Sequence, residues 1–421
     1  MPTTRRRVLL ATGLVAGRLG ATGTHPAHAA APVGQTPAQP QPQPLVIGAL
    51  FPFSGSLSLL GDESFRGLDL AVDELNAGGG LLGHPVTLAR GDASESAPAA
   101  AEARRLIEQA KASLIFGSYS SVVSFAASAV AEVAAVPYFE LDALADPITG
   151  RGFRLLFRSG PLASACGALA VDTVADVLAP LWNADPRTLK LALLFEDGLG
   201  GTAVATAEEA RCKERGIPLA EHIAYGAATL DFTPMVQRLH GAAADVVLHT
   251  GRPNDVMAFH RAMKQAAWHP RMVIGAGGGY ALNDTAQALG ADFEGVMTVG
   301  VTQYRVSDVV APGAADVAAA YQRKYGAPPR SGHSLVCFSG ARAFFDAIKH
   351  AGTLDHDKLR AAMLATDLPP GSTVGGFGVK FDEHGQNMLA VPYLTQWQKG
   401  VLVTVAPKTA SVADAVGTLG G

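Results

Sequence analysis

The feature that most constrains the fold is a regular alternation of short apolar runs with longer segments of helical periodicity, which begins at Leu45. Residues 45–50 and 85–92 are typical of buried strands. Between them, residues 64–80 place apolar side chains at helical spacing and end in Asn-Ala-Gly, a common helix C-terminus. Strands that alternate with helices form parallel sheets covered by helices. The sequence therefore predicts an α/β protein.

The alternation occurs in two successive series. The second series restarts at the apolar run 189–197 and continues to a strand at 271–277. Two series of this length predict two doubly wound, Rossmann-like lobes rather than one large sheet. Two further helical segments (314–326 and 335–352) and a hairpin-like pair near the end of the chain could complete both lobes.

The first thirty residues have the pattern of an export signal. Arg5-Arg6-Arg7 precedes a modest apolar stretch, and Ala27-His28-Ala29 offers a cleavage site. The arginines and the low hydrophobicity favour the twin-arginine route. We therefore expect a signal peptide over residues 1–29 and an exposed Pro/Gln-rich linker over residues 30–44. No later stretch offers about 20 uninterrupted apolar residues, so stable membrane insertion is not expected.

Composition and missing motifs exclude several classes of function. Charged residues make up 17% of the chain and the net charge is −4, so the basic footprint of a nucleic-acid-binding protein is absent. The three cysteines form no CxxC pair and the histidines form no HExxH, so no metal site is predicted. The sequence also lacks the G-x-S-x-G nucleophile elbow of many hydrolases.

One glycine-rich segment imitates a dinucleotide site. Residues 198–203 read G-x-G-x-x-A between a predicted strand and a predicted helix. Glu196 and Asp197 stand directly before this turn and disfavour a pyrophosphate. An NAD-dependent oxidoreductase therefore remains an unfavoured alternative, and no cofactor is predicted.

Ligands of doubly wound sheets bind beyond the carboxyl ends of the strands, near helix N-termini. This rule selects six loops without reference to any family. They are residues 52–60, 117–121, 139–143, 196–201, 250–254 and 277–283.

A series of short motifs resembles a known family. In chain order they include Pro52-Phe53-Ser54-Gly55, Arg66-Gly67, Asn76-Ala77-Gly78-Gly79, Gly117-Ser118-Tyr119-Ser120-Ser121, Val136-Pro137-Tyr138, Phe232-Thr233-Pro234 and Phe381-Asp382-Glu383-His384-Gly385. Their order and spacing resemble the type I periplasmic solute-binding proteins of ABC transporters for branched-chain amino acids, amides and urea. The resemblance spans about Leu45 to Pro407.

The resemblance implies two lobes joined by a three-strand hinge, with the ligand in the cleft between them. Lobe I would comprise residues 45–157 and about 299–388, and lobe II residues 158–298 and about 389–410. It further implies a periplasmic protein that is not an enzyme, a small organic solute as ligand and an ABC transporter permease as partner. A ligand-sensing receptor subunit of the same fold is the alternative.

The resemblance also implies ligand-binding residues in lobe I. Ser118, Tyr119, Ser120 and Ser121 open a predicted helix, where free N–H groups and hydroxyls suit a carboxylate or amide oxygen. An ordinary serine N-cap is the structural alternative.

Glu140, Leu141 and Asp142 follow, at a place where the family often carries small polar residues. Glu140 could pair with a cationic ligand group, or it could bind loop amides.

In lobe II the resemblance implies contacts from Leu199, Arg252 and Tyr280. Leu199 stands where many relatives place an aromatic residue. Arg252 could hold a carboxylate or lie solvated on the surface. Tyr280 could stack on a ligand, but no acid stands between residues 275 and 282 to meet an α-ammonium group. The expected ligand is therefore a carboxylate, amide or aromatic solute, with branched-chain amino acids as the family default.

Overall fold

The computed structural model describes residues 43–420. The expected signal peptide and nearly all of the expected linker therefore lie outside the described residues. The described part contains two main sheets, which confirms the predicted pair of α/β lobes.

All five strands of the first sheet run parallel, in the order β2-β1-β3-β4-β5. They are β1 (Leu45–Phe51), β2 (Val86–Asp92), β3 (Leu114–Gly117), β4 (Tyr138–Glu140) and β5 (Leu156–Arg158).

The second sheet has seven strands in the order β14-β13-β10-β9-β8-β6-β7. Five of them are parallel: β6 (Leu191–Glu196), β7 (Leu219–Tyr225), β8 (Val246–Thr250), β9 (Met272–Ala276) and β10 (Met297–Gly300). A short separate pair comprises β11 (Asp367–Leu368) and β12 (Val379–Lys380). The hairpin β13 (Tyr393–Gln398) and β14 (Val401–Ala406) completes the second sheet in antiparallel fashion.

Helices cover both faces of each sheet. They are α1 (Ser58–Ala77), α2 (Ser96–Glu108), α3 (Ser121–Val133), α4 (Ala163–Thr173), α5 (Ala179–Leu181), α6 (Leu199–Arg215), α7 (Thr233–Gly241), α8 (Pro253–Gln265), α9 (Asn283–Leu289), α10 (Ala314–Tyr325), α11 (His333–Ala351) and α12 (His356–Ala365). On the first sheet, α1 and α10–α12 share one core and α2 and α3 another. On the second, α4 and α6 pack on one face and α7–α9 on the other.

The largest departure from the sequence prediction is the helical run 163–181. It comprises α4, a π-helical segment Val174–Leu178 and α5. By length and composition it could cross a membrane, and half of its most apolar window is buried inside the protein. Asp172 on α4 bonds Arg211 on α6 at 2.9 Å, so the run packs as a core helix of the second lobe.

The chain crosses between the sheets three times: after β5, after β10 and before β13. The first and third crossings are joined by buried hydrogen bonds. The Arg158 guanidinium donates to Gln386 Oε1 at 2.6 Å and to the Ala145 carbonyl at 2.8 Å. Asn387 donates to the Ser159 carbonyl at 2.9 Å. The crossings are thereby fixed to a loop of the first sheet.

This arrangement places a topological switch point in each sheet. Chain connections leave in opposite directions from β1 and β3 in the first sheet, and from β6 and β8 in the second. A crevice forms at such a point outside the carboxyl ends of the strands.

A buried acid in the second lobe makes stability depend on pH. Glu208 on α6 is 1% exposed, and its Oε1 has no hydrogen-bond partner among the described residues. Burial raises the pKa of this carboxyl to about 8 from its usual 4.5. Between these pH values the folded state binds the extra proton, so stability falls as pH rises, by at most about 1.4 kcal/mol per pH unit.

We therefore expect Glu208→Met to raise the melting temperature, and to raise it more at pH 8 than at pH 5. Differential scanning calorimetry across this range measures the effect. Glu209→Met changes an exposed neighbouring acid and should leave the pH slope unchanged. A Glu208→Met slope equal to that of the wild type would contradict the assignment.

Candidate ligand-binding site

A cavity with an empty volume of about 980 Å³, partly open to solvent, lies where the strand ends of the two sheets meet. The first sheet contributes the loops after β3 and β4, and the second contributes those after β6, β8 and β9. The cavity therefore occupies the crevice that the two switch points define.

The structure brings six of the ten sequence-predicted residues to the cavity wall and leaves four away from it. Those on the wall are Tyr119, Ser120, Ser121, Asp142, Leu199 and Arg252. Those away from it are Ser118, Glu140, Leu141 and Tyr280.

Glu140 binds loop amides rather than facing the cavity. Its carboxylate accepts the backbone N–H of Ser118 at 2.8 Å, of Asp142 at 2.9 Å and of Ala143 at 2.7 Å. Burial raises its pKa to about 7, although these N–H groups favour the ionised form. Ser118 Oγ is likewise used internally, on the Ser120 carbonyl. Both residues fix the site loops, so the prediction that they face a ligand is corrected.

The predicted ligand contacts of Leu141 and Tyr280 are also corrected, because both side chains turn into a lobe core. Leu141 is fully buried among the apolar side chains of the first lobe. Tyr280 is fully buried in the second lobe, where its hydroxyl lies 2.6 Å from His249 Nδ1 and its ring stacks on Phe293. A Cβ on Gly275 would lie 2.0 Å from this ring, so the glycine makes room for it.

Two helix N-termini open into the cavity from opposite lobes. Ser120 and Ser121 begin α3, and Gly198 and Leu199 begin α6. The Ser120 side chain accepts no hydrogen bond from α3, and Gly198 has no side chain that could cap α6. The first-turn N–H groups and the positive dipole ends of both helices therefore face the same space.

The charged pair of the second lobe is internally satisfied. Arg252 Nη2 donates to Glu196 Oε1 at 2.7 Å, and Arg252 Nη1 lies 3.4 Å from Ser56 Oγ of the first lobe. Desolvation raises the pKa of Glu196, and the Arg252 charge opposes that rise. The Arg252 side chain is therefore 21% exposed and is already paired with a carboxylate.

The Asp142–His333 pair of the first lobe is deeper. Asp142 accepts from Ser64 Oγ at 2.7 Å, and His333 Nδ1 lies 2.8 Å from Asp142 Oδ2. His333 is the first residue of α11 and is 5% exposed. Its ring meets the Tyr119 ring edge-on, with centroids 5.2 Å apart.

Contacts between the lobes close one side of the cavity. Tyr119 accepts the backbone N–H of Gly278 at 2.9 Å. Leu57 and Leu60 of the first lobe pack on Leu282 of the second, with Tyr119 against them. We call these four side chains the lip cluster.

Sequence reasoning missed several polar residues of the wall, among them His333 and Thr250. His333 lies two residues before the predicted start of its helix, so no loop rule selected it. Thr250 is 9% exposed, and its Oγ1 is buried without a hydrogen-bond partner among the described residues. The loop rule selected 250–254, but only Arg252 was named. Within residues 43–420 no group of three or more His, Cys, Asp or Glu is placed to hold a metal ion.

The fold and this cavity define a two-lobed protein with a cleft between the lobes. The sequence profile of the periplasmic binding protein family matches residues 44–401, and the chain belongs to that family. The resemblance seen in the sequence is thereby confirmed.

Curated relatives cover most of the chain. The chain is 43% identical over 368 residues to Leu/Ile/Val-binding protein homolog 8 of Brucella abortus, covering 87% of this chain and 91% of that protein. It is 41% identical over 378 residues to Leu/Ile/Val-binding protein homolog 7 of Brucella suis, covering 90% and 95%.

Solved structures share the fold. A solute-binding protein of an ABC transporter from R. palustris, in complex with benzoate, has a TM-score of 0.74 at 22% identity and covers 89% of this chain and 99% of its own. A branched-chain amino acid transporter substrate-binding protein from Streptococcus pneumoniae, in complex with isoleucine, has a TM-score of 0.73 at 23% identity, covering 87% and 100%.

We expect Glu140→Gln to destabilise the protein by about 1–3 kcal/mol, because an amide cannot accept all three loop N–H groups without turning its own NH2 toward a donor. Urea denaturation at pH 8 measures the loss. Glu132→Gln is the control, since Glu132 also binds backbone N–H groups but at a half-buried position. Equal effects of the two substitutions would contradict the role given to Glu140.

Proposed function

We propose that this protein is the periplasmic solute-binding component of an ABC importer, and that it captures a small organic carboxylate by closing its lobes around it. The observation that carries the proposal is the pair of helix N-termini that face the cavity from opposite lobes. A carboxylate between them accepts N–H groups from both lobes at once. A ligand that contacts both lobes favours the closed arrangement.

The ligands of the structural neighbours support a carboxylate. Isoleucine and benzoate differ in size and shape, and only isoleucine carries an ammonium group, but both carry a carboxylate group. The α3 and α6 N-termini offer this shared group a site without any cationic side chain. Leu199, Leu144 and Val204 supply apolar walls for the rest of such a molecule.

The two named relatives are Leu/Ile/Val-binding protein homologues, which keeps apolar amino acids among the candidates. We infer that the chain binds rather than transforms its ligand. We also infer that Ser120 and Ser121 hold the carboxylate from lobe I, and that the closed form docks on an ABC permease. Lobe I then corresponds to residues 45–157 with about 299–388, and lobe II to residues 158–298 with about 389–410.

The amino-terminal pattern supports the location. Arg5-Arg6-Arg7 and the weakly apolar stretch after it suit export by the twin-arginine route, which delivers proteins to the periplasm. The permease would then meet the protein at the outer face of the inner membrane.

Leu199 allows a test of the carboxylate, because its side chain lies at the α6 N-terminus and lines the cavity. Leu199→Asp introduces a negative charge where the ligand carboxylate is placed, and Leu199→Asn is its uncharged twin of the same size. We expect the aspartate to weaken binding of an anionic ligand by about 2 kcal/mol or more relative to the asparagine, a factor of about thirty.

A thermal-shift screen of small carboxylates, including isoleucine and benzoate, first selects the tightest ligand, and isothermal titration calorimetry then compares the variants. An aspartate at a helix N-terminus is favourable for folding. The asparagine variant removes the same apolar side chain from the core, so a loss of binding specific to the aspartate would not reflect lost packing. Equal affinities of the two variants would contradict the placement of the carboxylate. A screen in which no solute stabilises the protein would contradict the proposed function itself.

A further inference from the structure

His333 presents an acceptor to the cavity. Its Nδ1 is hydrogen-bonded to the Asp142 carboxylate, which also accepts a hydrogen bond from Ser64 Oγ. The carboxylate is thus the acceptor in both hydrogen bonds. When the ring is neutral, its proton resides on Nδ1, because the partner of one ring nitrogen decides which nitrogen carries the proton. The other nitrogen, Nε2, has no hydrogen-bond partner among the described residues, and the residue lines the cavity.

Tyr119 presents a donor beside it. Its oxygen accepts the Gly278 N–H, so the hydroxyl proton remains free to donate. Both groups approach Gly278 closely: a Cβ on that glycine would lie 2.8 Å from His333 Nε2 and 2.9 Å from the Tyr119 hydroxyl. One acceptor and one donor are thus neighbours on the same part of the wall.

The acids of the cavity wall argue against an ammonium group at this position. Asp142 and Glu196 are the acids on the wall, and each already has a partner, His333 for one and Arg252 for the other. An ammonium group only donates, so it would leave the Tyr119 proton without an acceptor. A hydroxyl group donates to His333 and accepts from Tyr119, and thus satisfies both.

The position of this pair agrees with the proposed carboxylate site. Tyr119 directly precedes Ser120 and Ser121, which begin α3. A hydroxyl at Tyr119 and a carboxylate at the α3 N-terminus would therefore belong to one small molecule. Thr250, with its buried and unpartnered Oγ1, adds another neutral polar group to the same cavity.

We propose that His333 and Tyr119 together recognise a hydroxyl group of the solute, so that the substrate class is a small hydroxy carboxylate rather than an α-amino acid. This proposal rests on the function proposed above. Nε2 then acts as the acceptor that separates a hydroxy acid from its deoxy analogue. A site built to bind a hydroxyl rejects the analogue that lacks it, because its own polar groups are left unpaired.

The test uses matched ligands in calorimetric titrations. One set is 2-hydroxy-4-methylpentanoate, leucine and 4-methylpentanoate, which carry a hydroxyl, an ammonium or a hydrogen at the same carbon. A second set is benzoate with its 2-, 3- and 4-hydroxy derivatives. We expect a hydroxy member to bind at least about tenfold tighter than its deoxy analogue, and in the first set tighter than leucine.

His333→Phe keeps a ring but removes the acceptor. It should weaken the hydroxy ligand by about tenfold to a hundredfold and leave the deoxy analogue within about threefold. Ser64→Ala is the control, because it perturbs the Asp142 network without removing Nε2 and should preserve the hydroxyl preference. If His333→Phe does not fold, Tyr119→Phe carries the test, since it removes the donor and should abolish the same preference.

The outcomes separate the two proposals. Leucine binding tighter than the hydroxy acid, a deoxy ligand binding as well as its hydroxy twin, or a preference that survives in both the His333 and Tyr119 variants would each overturn the hydroxyl assignment alone. Loss of the preference in Ser64→Ala as well would assign His333 a structural role and overturn it too. Binding of no member of either set would contradict the solute-binding proposal together with this one.

Discussion

The buried guanidinium of Arg158 is the interaction on which the geometry of the cleft most depends. It lies at the first crossing between the sheets, fully removed from solvent, and its hydrogen-bond partners are neutral oxygens. Desolvation lowers its pKa to about 10, so it remains charged at neutral pH. A charge buried in this way is tolerable only if its donors are satisfied. Its bonds to Gln386 and to the carbonyls of Ala143 and Ala145 therefore fix the third crossing to the loop after β4.

The same loop carries Asp142, and its start is held by Glu140. The hinge and the cavity wall of the first lobe are consequently parts of one hydrogen-bonded unit. In this unit the ionisable side chains are used in hydrogen bonds within the protein. Arg158 donates to carbonyls, Glu140 accepts from N–H groups, and Asp142 is bonded to Ser64 and His333. The groups left for a solute are helix N-termini, hydroxyls and one imidazole nitrogen. Selectivity then rests on directed dipoles more than on unpaired charge.

Much of this architecture could be predicted from the sequence, because buried parallel strands appear as short apolar runs and the helices appear as apolar residues at helical spacing. The run 163–181 was missed because its largely apolar composition hides any helical face.

The loops of the site were predictable, since the carboxyl ends of strands follow from topology. The direction of each side chain was not. Tyr280 turns inward because Gly275, on the strand that precedes it, leaves space for its ring, and this space becomes visible only in the folded chain. His333 reaches the cavity from a helix more than 130 residues beyond Leu199, so only the folded chain brings the two together.

The lip cluster has a consequence for how affinity is set. Leu57, Leu60, Leu282 and Tyr119 join the lobes through contacts within the protein, and of these Leu57 and Tyr119 also line the cavity. The free energy of these contacts adds to that of the solute, so the fraction of empty protein that is already closed enters the observed dissociation constant directly. A substitution at Leu282, which does not line the cavity, would shift that fraction and change the apparent affinity for every solute by the same factor. Sensitivity can thus be set at Leu282, apart from the cavity side chains that set selectivity, and a binding protein of this kind can adapt to scarcer or richer surroundings without changing which molecule it accepts.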